Sequence, residues 1–119
     1  MDFNLSGLSS AKRSLESERV KVLILGAGPA GMSAALYAAR AELAPVVLTG
    51  TALGGQASLT HVIENYPGFP EGVGGLELGE LFQKQAERFG ARFEFDTATS
   101  VDLSKRPFTV KTYSKEYLA

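Results

Sequence analysis

The stretch "VKVLILGAGPAGMSAALYAARAELAPVVLTG", residues 20–50, decides the fold. Residues 20–25 are a largely apolar run, too short for a helix and stopped by Gly26, which reads as a strand buried on both faces. From Pro29 the Ala-rich segment favours helix, and proline belongs in a helix's first turn, where its missing N–H costs nothing. A second apolar run, residues 45–48, ends at Thr49 and Gly50. Strand, glycine turn, helix and strand within about 30 residues predict a βαβ unit, with a parallel pair and a right-handed crossover. The fold class is therefore α/β.

The turn itself, Gly26, Ala27, Gly28, Pro29, Ala30 and Gly31, has the spacing G-x-G-x-x-G. Gly26 lets the chain leave the strand sharply, Gly28 lets backbone approach a pyrophosphate, and Gly31 lets helix pack on strand. The helix N-terminus offers N–H groups and about half a positive charge to phosphates. Alone the motif is weak; between these two strands it predicts a dinucleotide seat. One element is missing. The carboxylate expected about 20 residues past the glycines falls at Thr49, Gly50 and Thr51, where no acid stands. The Thr49 or Thr51 hydroxyls, or the backbone around Gly50, are then expected to take the ribose, which argues against a simple NAD dehydrogenase.

The 119 residues match one small domain, 45% hydrophobic and 21% charged, with net charge −1. No face collects Lys and Arg, which excludes nucleic acid as an expected partner. There is no cysteine and one histidine, His61, so this chain carries no disulfide, thiolate or metal-cluster chemistry. The uncharged run 22–39 follows Lys12, Arg13, Arg19 and Lys21 like a secretory leader, but its glycines and proline break it. No membrane segment is expected, and the location is read as cytoplasmic.

Residues 1–19, rich in Ser and charge, read as a mobile tail, and residues 20–119 as a folded unit. Residues 51–75 hold many glycines, two prolines and interleaved apolar residues, and predict a folded loop lying over something. Residues 76–89 return to helical spacing, with Leu78, Leu81, Phe82, Ala86 and Phe89 on one side and Gly90 placed to cap the end. "ARFEFDT" and "FTVKTY", around a turn region "SVDLSKRP", predict an antiparallel hairpin, after which "SKEYLA" shows no further element.

Four stretches in order, "GAGPAG", "ALYAARAELAPVVLTG", "GGQ" with "ENYPGFP", and "QAERFGARFEFDTATSVDLSKRPF", resemble the N-terminal part of the bacterial-type, low-molecular-weight thioredoxin reductases. The resemblance implies a Rossmann-like FAD-binding domain, incomplete here, in a flavoprotein that passes electrons from NADPH through FAD to a dithiol. It further implies that residues 27–30 line the FAD pyrophosphate. Thr49, Gly50, Thr51, Ala52, Leu53, Gly54, Gly55 and Gln56 would run along the ribose toward the flavin. Asn65 would contact the flavin end, and Ala98 the adenine through its backbone. Tyr66, Pro67, Phe69 and Pro70 serve equally well as loop packing.

The family's Cys-x-x-Cys, its second glycine fingerprint and its returning C-terminal FAD segment have no counterpart in these residues. The expectation is thus the opening portion of a larger homodimeric enzyme, not catalytic alone, with thioredoxin or a similar dithiol protein as the parent's partner. Two other readings stand beside it: a stand-alone nucleotide-binding or interaction module, and a parent that is a ferredoxin-linked reductase or dithiol oxidase.

Overall fold

The computed structural model describes residues 15–51 and 54–119, with Gln56 described by its backbone alone. In chain order the elements are β1 (Glu16–Arg19), β2 (Leu23–Leu25), α1 (Pro29–Arg40), β3 (Val46–Leu48), a 3-10 turn (Gly55–Leu59), α2 (Gly75–Arg88), β4 (Arg92–Glu94), β5 (Ala98–Asp102), β6 (Thr109–Thr112) and β7 (Lys115–Leu118). β2, β3 and β4 form a parallel sheet in that order. The second sheet runs β1-β7-β6-β5, with β1 parallel to β7 and the rest antiparallel.

β3 is the centre of the molecule because alternate residues along a strand face opposite sides. Val47 points into a layer built by Ala27, Met32, Ala35 and Ala39 of the first βα unit with Ala86 and Ala91. Val46 and Leu48 point the other way, against Val110 and Tyr117 of the meander sheet. The parallel sheet is thus covered by helices on one face and by strands on the other. Alanine at the buried positions of α1 lets the helix axis close on the sheet; a run of larger residues would hold it away.

α2 buries Leu78 and Ala86 and half-buries Phe82, while Leu81 and Phe89 lie exposed on its flank. Phe89 sits under two guanidinium groups, Arg40 at 5.7 Å and Arg88 at 5.2 Å from its centroid. Gly90 closes the helix with φ 107°, and the Ala91 N–H returns to the Ala86 carbonyl at 3.1 Å, the hydrogen bonding of a glycine C-terminal cap. α1 ends differently. Glu42 takes φ 60° with a side chain attached, in a region where glycine is preferred.

Three sequence expectations need correction. Residues 16–19, placed in the tail, are a strand: their polar side chains carry no strand signal, and pairing with β7 supplies the order. Residues 1–14 of that expected tail lie outside the described residues. "ARFEFDT" is not a hairpin arm; its strand, β4, pairs parallel with β3, and the arm opposite β6 is β5. "SKEYLA" holds β7. Among the described residues no helix is long and apolar enough to cross a membrane.

Candidate functional site

The site lies where β2 gives way to α1. Gly26 turns the chain with φ 112°, while its N–H still donates to the Leu48 carbonyl of β3 at 2.9 Å. Gly28 caps the helix in extended geometry and Pro29 opens the first turn, which contains no acidic residue. The Ala30 and Gly31 N–H groups of that turn have no intrahelical carbonyl to meet. A positive helix end without a competing carboxylate suits an anion.

The glycines serve different ends. A Cβ on Gly31 would collide with the Gly26 carbonyl oxygen, so this glycine is required for helix-on-strand packing. A Cβ on Gly28 would approach nothing nearer than 4.0 Å, at the Gly54 carbonyl and the Gly55 Cα. The protein's own packing does not exclude a side chain there; what glycine keeps clear is the space before the helix end.

Behind that space stands a second glycine turn. Gly54 and Gly55 take φ 87° and 60°, and the Gly54 N–H donates to the Ala27 carbonyl at 3.0 Å. The 3-10 turn that follows is braced by Ser58, whose hydroxyl donates to the Gly55 carbonyl at 2.7 Å. The loop beyond returns through a two-way backbone pair between Ile63 and Val73, at 2.7 and 3.0 Å. It therefore folds as expected. Pro29, Ala57, Val62, Asn65, Tyr66 and Leu78 share the wall of one cavity of about 450 Å³, so Asn65 and Pro29 of the fingerprint line the same space. That volume falls in the usual range for small-molecule sites. Tyr66 also packs edge-on against Phe82, with centroids 5.3 Å apart, and 6.3 Å from Phe69, so loop packing is a part it does play.

At the other end of the seat, Gly50 turns the chain out of β3 with φ 69°. Thr49 is 5% exposed, and its hydroxyl is 3.2 Å from the Gly50 carbonyl and 3.3 Å from that of Glu94. That hydroxyl is committed to the sheet, so of the two threonines proposed for the ribose only Thr51 is exposed. Ala98, the first residue of β5, is half-buried and packs against the cluster of Val46, Leu48, Val110 and Tyr117. Ala52, Leu53 and the Gln56 side chain lie outside the described residues. His61 is exposed.

Sequence reading passed over Asp96, just beyond β4. Its carbonyl accepts the Gly50 N–H at 3.0 Å. Its carboxylate accepts the Thr97 N–H at 2.8 Å and the Ser114 hydroxyl at 2.6 Å. Burial pushes this carboxyl up, but hydrogen bonds from Ser114, Thr112 and the Thr97 and Tyr113 backbone outweigh it and hold Asp96 below the usual range. An acid ending the strand next to the glycine-ended β3 was the available signal.

At the opposite end of the sheet, Glu18 of β1 accepts from Arg92 at 2.6 Å and Lys115 at 3.0 Å, and Arg92 reaches Glu94 at 3.2 Å. The Arg92 hydrogen bond, then that of Lys115, lowers the Glu18 pKa, and Glu18 in turn raises both cations' values. This cluster ties β1 and β7 to β4.

A glycine turn between parallel strands, a helix end free of acids and a second glycine wall define a dinucleotide-binding α/β domain. The chain belongs to the pyridine nucleotide-disulphide oxidoreductase family, whose model matches residues 20–118. It is 47% identical over 116 residues to thioredoxin reductase 1, mitochondrial, of Arabidopsis thaliana, covering 93% of this chain and 31% of that protein. It is 53% identical over 97 residues to the thioredoxin reductase of Vibrio cholerae, covering 82% of this chain and 30% of that one. Among solved structures, a thioredoxin reductase from Gloeobacter violaceus superposes with a TM-score of 0.80 at 37% identity, over 83% of this chain and 33% of that one. The chain thus spans about a third of the length of the curated relatives it matches.

Proposed function

We propose that this chain forms the FAD-binding part of a thioredoxin-reductase-like flavoprotein oxidoreductase. In the whole enzyme this part would hold the FAD through which electrons pass from NADPH to the disulfide of a protein such as thioredoxin. The observation that carries the reading is the double glycine wall: Gly28 kept clear before the helix end, Gly54 and Gly55 backing it, and Asn65 on the same cavity as Pro29. A long cofactor with a central pyrophosphate fits that track. Residues 27–31 would hold the phosphates by backbone N–H groups and the helix dipole. Thr51 and the Gly50 turn would meet the ribose, and Asn65 the flavin end.

The bound flavin supplies a two-electron relay between nicotinamide and disulfide. These residues bind and orient it. The dithiol step needs cysteines, and the chain has none, so these 119 residues do not perform that step. We place the whole enzyme in the cytoplasm as a homodimer, in keeping with the resemblance. The test is to mix the purified chain with FAD, separate free flavin by gel filtration, and compete with ADP. Yellow protein that loses its flavin to ADP supports the reading; a chain that takes neither ligand at millimolar concentration overturns it.

A further inference from the structure

We infer that Tyr113, at the tip of the β6–β7 turn, is the adenine-stacking residue of the dinucleotide seat, an inference that rests on the reading above. In a βαβ dinucleotide fold the adenosine lies beyond the end of the second strand, which here is the Thr49–Gly50 end of β3. Two hydrogen bonds lead from that point to the turn. The Gly50 N–H donates to the Asp96 carbonyl at 3.0 Å, and the Asp96 carboxylate accepts the Ser114 hydroxyl at 2.6 Å.

The turn is therefore pinned to the adenosine end of the seat although it comes from the other sheet. Thr112 fixes it from below: its hydroxyl accepts the Lys115 N–H at 2.9 Å and the Ser114 N–H at 3.2 Å. The Tyr113 ring is left 80% exposed, and among the described residues it enters no aromatic pair and lies under no cation. A pinned backbone carrying an uncommitted aromatic face beside a base's expected position is a stacking platform that loses little freedom on binding. Asp96 acts here as a positioning residue, through Ser114.

The test measures ADP binding to the full chain by calorimetry, beside ribose 5-diphosphate, which lacks the base. Tyr113→Ala should weaken ADP by about tenfold and leave ribose 5-diphosphate unchanged, while Tyr113→Phe keeps wild-type affinity. The chain has no tryptophan, so Tyr113→Trp places a sole tryptophan at the turn, and ADP should quench its emission. Because the side chain is exposed, each variant should retain the wild-type circular dichroism. If wild type binds ADP and Tyr113→Ala binds it equally well, the stacking inference is overturned and the dinucleotide reading stands. If wild type binds no ADP, both fall.

Discussion

Two glycines three residues apart should fail in opposite ways. At Gly31 a methyl group would drive into the Gly26 carbonyl oxygen, with the Gly26 carbonyl carbon at 3.0 Å and the Ile24 side chain at 3.5 Å behind it. The obstacle is backbone, so helix and strand must separate. Overpacking of this kind costs about 1–3 kcal/mol, against about 1 kcal/mol gained by alanine over glycine inside a helix. Gly31→Ala should then lose up to about 2 kcal/mol, or up to roughly 10 °C in Tm for a chain of this size. At Gly28, φ is −75° and the nearest atoms would be 4.0 Å from the new Cβ. The weaker cap and the less flexible unfolded chain roughly offset, so Gly28→Ala should hold stability within about 0.5 kcal/mol. Its methyl group would instead stand in the phosphate's place, and ADP affinity should fall by about tenfold or more, at least about 1.4 kcal/mol. Thermal unfolding by circular dichroism and ADP titration, run on both variants, separate the two effects. The reasoning is refuted if Gly28→Ala unfolds as early as Gly31→Ala, or binds ADP like wild type.

Other consequences can be measured on the same chain. Glu18 has a lowered folded pKa, so it contributes stability above its ordinary value of 4.5 that is lost as pH falls through the lowered one. Urea midpoints should show this decline in wild type and a weaker one in Glu18→Gln. Glu42→Gly should raise stability by about 1 kcal/mol, read as a higher urea midpoint, because it relieves a side chain held at φ 60°. Tyr66→Ala should cost about 1–2 kcal/mol by removing the edge-on contact with Phe82. It should also speed proteolysis of the loop between the 3-10 turn and α2.

The βαβ unit was legible because short apolar runs, a glycine turn and an alanine-rich segment are local patterns, and Val47 and Met32 are buried; β2, expected to be buried on both faces, is instead half-buried with Leu25 exposed. Gly90 was legible for the same reason. The meander was legible only in part: "FTVKTY" holds β6, antiparallel as expected, but its neighbours were missed. "ESER" has no strand signal of its own, and becomes a strand only when β7, 99 residues away in the Ser17–Glu116 hydrogen bond, lies beside it. β4 was assigned the wrong neighbour since alternation reports a strand but not its partner. Thr49 and Thr51 looked equivalent as ribose ligands; only the β3–β4 register shows that the first hydroxyl is turned to Glu94. Asp96 was overlooked because its importance comes from two distant segments, Gly50 and Ser114, meeting at it.

The Glu18 cluster bears on the time the fold survives as well as on its stability. Its hydrogen bonds close separations of 74 and 97 residues, and such large loops form after local structure because their closure costs more chain entropy. Bonds made late on the way in are among the first to part on the way out. In a chevron, Glu18→Gln should leave the refolding limb nearly unmoved and raise the unfolding limb. One glutamate on a polar edge strand thereby acts as a latch on the lifetime of the folded chain.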